Sequence, residues 1–176
     1  IKTQISMNLK NKIISVIGLG KTGIATANFL SLQGAKVSIM DHNSRDQLSE
    51  LASQLLPGVK AVYENCEPHP DSEMVVISPG VDIESSFLKS SRQKGMKIIS
   101  EIELAGRINT ASLIGITGTN GKSTCTSLIG EILKEGGISA AVGGNLGTPF
   151  ISLLDQESVE YRVLEISSFQ MEATHS

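Results

Sequence analysis

Tryptophan is absent and aromatic residues make up only 3% of the 176 positions, so the core has to be built from Ile, Leu, Val and Ala. An aliphatic interior of that kind suits a buried parallel sheet flanked by helices. There are two cysteines, Cys66 and Cys125, far apart and without metal-ligand spacing. They are expected as reduced thiols of a cytosolic protein rather than as a disulfide framework or a zinc site. The three histidines, His42, His69 and His175, are scattered, which argues against a histidine-based metal site. No stretch reaches the roughly 18 apolar residues that a membrane-spanning helix requires. The opening Ile1-Lys2-Thr3-Gln4 carries no basic-then-apolar leader, so a cytoplasmic location is the expectation. A large excess of either charge is missing too: the net charge of −3 gives no electrostatic reason to expect nucleic acid or an anionic membrane as partner.

What is present is an ordinary globular balance, 40% hydrophobic and 19% charged. The length fits one large domain or two small ones. The chain begins without Met, with Met7 a natural start before the first strand, and 170–176 reads as the opening of a helix with no stop signal. A fragment of something longer is expected on those grounds.

The order of elements gives the architecture. Lys12 to Ile17 is a strand-type run that enters Gly18-Leu19-Gly20-Lys21-Thr22-Gly23 at once. A helix over 22–33 follows, with Ile24, Ala27 and Leu30 on one face and Gly34 past its end. Ala35 to Met40 is the second strand, ending at Asp41. A helix over 45–56, a strand over 73–77 broken at Ser78-Pro79-Gly80, a helix over 87–94 and a strand over 96–100 continue the alternation. A helix over 101–109 marks the boundary, and the rhythm restarts. Ala111 to Ile114 is a strand leading into Gly115–Thr124. The next helix runs to about Lys134, with Leu128, Ile129, Ile132 and Leu133 as its expected buried stripe. Strands over 138–142 and 162–166 follow, separated by a loop over 143–147. The expectation is an α/β chain: a Rossmann-like N-terminal domain over 1–99, then the first part of a P-loop ATPase-type central domain over 100–176.

Two glycine-rich turns carry the chemistry. In Gly115–Thr124, backbone N–H groups backed by a helix N-terminus form a nest for phosphate oxygens. Lys122 is placed for β/γ-phosphates and the Ser123 hydroxyl for Mg²⁺. The strict phosphate-loop pattern wants Gly at 116, where Ile116 stands; the glycines fall at 115, 118 and 121. Gly18 to Gly23 is a complete G-x-G-x-x-G between strand and helix, with Asp41 ending the next strand. Alone it suggests a dinucleotide, yet the same cradle serves any nucleotide diphosphate. Glu165 stands inside an apolar strand, where a carboxylate needs a partner: Mg²⁺ at the phosphate loop, or a lysine. Asn145 is either a turn residue or a ligand donor, and Ser78-Pro79-Gly80 is either a strand-ending turn or part of a ligand site.

In order and spacing, Gly118-Thr119-Asn120-Gly121-Lys122-Ser123-Thr124, then Gly144-Asn145-Leu146-Gly147, then Glu165-Ile166-Ser167-Ser168-Phe169-Gln170 resemble the Mur ligase family. With the first turn and Ser78-Pro79-Gly80-Val81, the resemblance narrows to its D-glutamate-adding branch. It implies a three-domain, ATP- and Mg²⁺-dependent enzyme of peptidoglycan synthesis. ATP would phosphorylate the alanyl carboxylate of UDP-N-acetylmuramoyl-L-alanine, and the amine of D-glutamate would attack the acyl phosphate. Carried onto this chain, the resemblance implies that Lys21, Thr22, Asp41, His42 and Gly80 contact the UDP part. It gives Gly118, Thr119, Asn120, Gly121, Lys122, Ser123 and Thr124 to ATP phosphates, and Ser123 and Glu165 to Mg²⁺. Asn145 and Ser167 face substrate or metal, and Lys122 and Glu165 are the implied catalytic pair. His42 stands where a small polar residue is the family pattern. The family's later central-domain motifs find no counterpart up to Ser176, so this chain alone is expected not to ligate, and its open sheet edge is expected to invite self-association. Two rivals stand beside this reading: a nicotinamide-dependent oxidoreductase built on the first turn, and a non-catalytic nucleotide-binding module using both.

Overall fold

The computed structural model describes residues 7–145, 147–156, 158–167 and 170. The helix expected over 170–176 lies, apart from Gln170, outside the described residues, as do the motif positions Leu146, Ser168 and Phe169.

Strand β1 (Ile13–Ile17) lies at the centre of a five-stranded parallel sheet in the order β3-β2-β1-β4-β5. Its companions are β2 (Lys36–Met40), β3 (Lys60–Val62), β4 (Met74–Ile77) and β5 (Lys97–Ser100). The order in which strands are added switches sides between β1 and β4, and in a doubly wound α/β fold ligands bind in the crevice beyond the carboxyl ends of those strands. Val75, Val76 and Ile77 of β4 are buried, as the apolar run requires of a strand covered on both faces.

Helix α1 (Lys21–Leu32) buries Ile24, Ala27 and Leu30, the expected stripe, and the chain leaves it through Gly34 at φ +82°. Helix α2 spans Arg45–Ala52 only, shorter than the expected 45–56. Its N-terminus is set by the Gln47 side chain accepting the Ser44 N–H at 3.0 Å. Its end is set by Asn28 of α1, which accepts the Leu56 N–H at 2.8 Å and donates to the Gln54 carbonyl at 2.9 Å. That clamp pulls 54–56 out of helical register. The three-residue β3, too short to carry a pattern of its own, was not expected. Helix α3 (Ser86–Gln93) buries Leu88 against β4 and β5, and Gly95 at φ +79° ends it.

Helix α4 (Glu101–Ile108), capped by Ser100 accepting the Glu103 N–H at 3.1 Å, leads to a second sheet. There β6 (Ser112–Ile116), β7 (Ala140–Gly144) and β8 (Tyr161–Glu165) pair in parallel in the order β6-β8-β7. Helix α5 (Lys122–Glu135) follows β6, and the single-turn α6 (Phe150–Leu153) follows β7.

The buried stripe of α5 differs from the expectation. Thr126 and Gly130 face the sheet, Ile129 and Leu133 are half-buried, while Leu128 and Ile132 are 57% and 61% exposed. A Cβ at Gly130 would stand 2.4 Å from Val142 Cγ2, so the helix rests with its backbone close against β7. With Thr126 and Gly130 one turn apart on the sheet side, residues two positions on are about 200° round the axis and point away.

The two sheets share no strand and are joined by polar contacts as well as by packing of α6 on α1 and α4. Within the second half, Arg162 is buried in β8 and donates to Asn109 Oδ1 at the end of α4 at 2.6 Å, the Gln156 carbonyl at 2.7 Å and the Leu153 carbonyl at 3.1 Å. Burial among these neutral acceptors lowers its pKa. Glu101 accepts the Ile151 N–H at 2.6 Å at the start of α6, and burial pushes its pKa up to about 7. Lys21 donates from its ammonium to the Gly147 carbonyl across the gap.

Candidate functional site

The first glycine-rich turn is fixed by its own packing. Gly18 has φ +96°, and a Cβ at Gly23 would meet the Gly18 carbonyl oxygen at 1.8 Å, so the strand-to-helix turn closes only around glycine. The Gly18 N–H donates to the Met40 carbonyl at 2.8 Å, and the Ser78 hydroxyl donates to the Gly18 carbonyl at 3.1 Å. Asp41, buried at the end of β2, accepts the Leu19 N–H at 2.7 Å on one oxygen. On the other it accepts the Asn43 N–H and side-chain amide, both at 2.9 Å. Its carboxylate therefore holds the turn in place. The His42 side chain is 80% exposed, with Nδ1 3.4 Å from Asp41 Oδ1.

Above this turn lies a cavity of about 580 Å³. Six of the residues assigned by sequence to the UDP-substrate line it: Lys21, Thr22, Asp41, His42 and Gly80 from the first half, and Asn145 from the second. Ser167 is not in its wall. Its N–H donates to Gln170 Oε1 at 2.9 Å and its hydroxyl accepts the Gln170 N–H at 3.3 Å, and Gln170 is the lining residue there. Cys66, Ser85 and Phe87 also line the cavity and were not singled out from sequence. Burial, and secondarily the Asp41 charge, push the Cys66 thiol up, keeping it protonated. A second cavity of about 560 Å³ lies on the other side of the loop from Ser78 to Glu84, with Glu101 in its wall.

The second turn is open. Gly118 has φ +147°, with the Asn120 carbonyl oxygen 3.9 Å from its Cβ direction, and Gly121, the N-cap of α5, has φ +75° with open space around it. Positions 118 to 121 are exposed, as are Ser123 and Thr124, and Lys122 is half-buried. Lys122 folds back to donate to the Gly118 carbonyl at 2.7 Å and lies 3.4 Å from that of Thr119.

Glu165 meets this loop from β8. It is 4% exposed and accepts the Asn145 side-chain amide at 2.8 Å on one oxygen and the Ser123 hydroxyl at 2.6 Å on the other. Those two donors, Asn145 first, hold its carboxyl below the usual range, with the Lys122 charge adding to them. The lysine salt bridge weighed from sequence is not what pairs it. Asn145 grips the strand twice, since its N–H also donates to the Glu165 carbonyl at 2.8 Å. The approach depends on Gly144, at φ +94°, where a Cβ would meet the Glu165 carbonyl oxygen at 2.3 Å.

A hydroxyl and a carboxylate side by side are hard oxygen donors of the kind Mg²⁺ takes. Among the described residues there is no group of three or more His, Cys, Asp or Glu that would hold a metal by itself. Two protein oxygens beside a glycine-rich loop at a helix N-terminus fit Mg²⁺, which takes waters and phosphate oxygens in the rest of its shell.

Comparison with known proteins agrees with this geometry. The family profile described as "Mur ligase MurD-like, N-terminal domain" matches residues 12–100, and that described as "Mur ligase middle domain" matches 116–176. The chain is 44% identical over 170 residues to a UDP-N-acetylmuramoylalanine–D-glutamate ligase of Koribacter versatilis. It is 45% identical over 173 residues to one of Trichlorobacter lovleyi. Each match covers 94% of this chain and 38% of the relative, so the chain spans less than two fifths of their length. The crystal structure of a UDP-N-acetylmuramate–alanine ligase of Thermotoga maritima shares the fold, with TM-score 0.52 and 18% identity over 89% of this chain and 37% of that one. With one family profile over each of its two glycine-rich turns, the chain belongs to the Mur ligase family.

Proposed function

We propose that this chain carries the UDP-substrate site and the ATP site of a cytoplasmic, ATP-dependent ligase that adds D-glutamate to UDP-N-acetylmuramoyl-L-alanine in peptidoglycan synthesis. In this reading residues 1–99 form the UDP-substrate-binding unit and 100–176 the start of the ATP-binding unit. The observation that carries it is the position of Asn145. Its side chain lines the substrate cavity and also binds Glu165, whose other oxygen binds Ser123 of the phosphate loop. Two sites that must exchange a phosphoryl group are thus joined through one residue.

A carboxylate is a poor electrophile until one oxygen becomes a phosphate leaving group, so the reaction needs the alanyl carboxylate held beside the γ-phosphate of ATP. The N-terminus of α1, with Lys21 and Thr22, suits the diphosphate of the substrate. The backbone of Gly118 to Thr124, at the N-terminus of α5, gathers ATP phosphates. Lys122 exchanges its neutral carbonyl partners for phosphate oxygens, a stronger charge-assisted bond. Ser123 and Glu165 would hold Mg²⁺, which offsets the negative charge crowded at the transferring phosphoryl. Asn145 keeps Glu165 in position and ionised. No described residue is assigned to D-glutamate. Self-association belongs to the proposal as well, through the edge strand β6 and the exposed Leu113, Leu128 and Ile132.

Calorimetric titration with UDP-N-acetylmuramoyl-L-alanine and with NAD tests the reading. Binding of the first and not of the second is the expected result, and tight NAD binding without UDP-substrate binding would sink it in favour of an oxidoreductase. With both substrates and ATP, this chain alone is expected to release no phosphate; turnover near that of a full-length ligase would overturn the assignment of D-glutamate binding to no residue here.

A further inference from the structure

One hydroxyl in the cavity wall has no explanation in the fold. Among the described residues, Ser85 Oγ is the only buried side-chain oxygen or nitrogen without a hydrogen-bond partner. Ser85 is the N-cap of α3, yet its side chain makes no capping bond. A buried, unbonded hydroxyl is unfavourable by about 1–3 kcal/mol, so its place needs a reason. Ser85 lines the 580 Å³ cavity, beside Val81 and Phe87.

The polarity of the cavity indicates what stands there. The end bounded by Gly144, Asn145 and Gly147 adjoins Glu165 and the phosphate loop, so the reacting end of a ligand must lie on that side. The N-terminus of α1 at Gly20–Lys21 takes the diphosphate. Between these ends the wall carries Asp41 and His42 on one side and, on another, Cys66, Val81 and Phe87, which belong with Ile17 and Met40 to one apolar cluster. The apolar side, with its one aromatic ring, suits a flat heterocycle, and Ser85 adds an unpaired hydroxyl to it.

We propose that the Ser85 hydroxyl is a specificity-determining contact for the nucleobase of the UDP-substrate, brought to the base edge by rotation about its Cα–Cβ bond. The inference rests on the UDP-substrate reading above. Because the hydroxyl has no partner in the free protein, the rotation breaks no hydrogen bond. A hydroxyl both donates and accepts, so it can serve either a ring N–H or a ring carbonyl.

The test is calorimetric titration of the wild type, Ser85→Ala and Ser85→Thr with UDP and with UDP-N-acetylmuramoyl-L-alanine, alongside thermal melts of the free proteins. The expected result has four parts. Both ligands bind the wild type. Ser85→Ala weakens both by a similar factor of about 5–15. Ser85→Thr, which keeps the hydroxyl, stays within about threefold. The free Ser85→Ala protein melts no lower than the wild type, since it loses only an unbonded group. Unchanged affinity in Ser85→Ala with intact wild-type binding overturns the inference and leaves the UDP-substrate reading standing. A loss confined to the larger ligand places the hydroxyl at the sugar–peptide end and overturns the base assignment. A lowered melting temperature in free Ser85→Ala shows a helix cap and overturns it too. Failure of the wild type to bind either ligand removes the underlying reading and the inference with it.

Discussion

The chain contains two glycine-rich strand-to-helix turns, and they are built in opposite ways. The first is closed by packing: Gly23 lies where no Cβ fits, Asp41 and Ser78 bind the turn's backbone, and its helix α1 is buried along a full stripe. The second is open: a Cβ at Gly118 would meet nothing nearer than 3.9 Å and one at Gly121 nothing within 4 Å, Lys122 is satisfied by its own loop's carbonyls, and α5 exposes Leu128 and Ile132 along its length where α1 exposes Leu32 at its last position. Under the proposed function the difference has a use: a turn that recognises a nucleotide by shape needs a fixed backbone, and a loop that wraps phosphates needs backbone N–H groups and a lysine free to re-pair. Glycine serves both turns, through close approach at Gly23 and positive φ at Gly18 in the first and through positive φ at Gly118 and Gly121 in the second.

The largest effect that would sharpen this contrast is Gly23→Ala. The obstructing atom is a backbone oxygen that cannot give way, so a loss of about 3 kcal/mol or more is expected in chemical denaturation. Gly121→Ala, at φ +75° in open space, is expected to lose about 1–2 kcal/mol from the left-handed backbone alone. Equal losses would break the comparison.

Glu101, between the halves, gives the next effect. Its folded pKa of about 7 lies above the ordinary value of 4.5, so the free protein binds a proton there that the unfolded chain releases. Stability from this group is full below about pH 4.5 and is lost as pH rises through 7, a fall of roughly 3 kcal/mol. Glu101→Gln should flatten that part of the stability-against-pH curve measured by urea unfolding. An unchanged slope would mean that the carboxyl is ionised across the range.

The smallest effect is expected at Ile132→Lys on α5. At 61% exposure the change should stay within about 0.5 kcal/mol, and light scattering should show less self-association than in the wild type. A large destabilisation would mean that the open half is packed more like the closed one.

The parts legible in the sequence were those where one residue type has one physical use. Gly18, Gly34, Gly95 and Gly121 mark positive φ, and each falls where the strand–turn–helix pattern placed it. Lys21, Thr22, Asp41, His42 and Gly80, which the sequence resemblance groups together, share a cavity wall, because strand ends of a doubly wound sheet converge on one crevice. What stayed hidden depended on distant partners. The end of α2 is set by Asn28, twenty-eight positions before the Leu56 amide it binds. The face of α5 is set by Gly130 and Val142, a contact that hydrophobic periodicity misreads because glycine counts as no signal. Glu165 could be seen to need a partner, but that Ser123 and Asn145 would both supply one follows from the parallel register of β7 on β8, which brings Gly144 opposite Glu165. Ser85 is marked only by the lack of a partner, a property that no local pattern records.

The cavity over the first turn draws its walls from two sheets that share no strand, with Lys21 and Gly147 touching across it. A molecule that fits both walls binds only when the halves are in this arrangement. By mass action its concentration therefore sets how firmly they stay together: about 2.7 kcal/mol at a hundred times its dissociation constant, and nothing when it is scarce. The mutual orientation of the halves is thereby tied to the supply of any molecule that spans them.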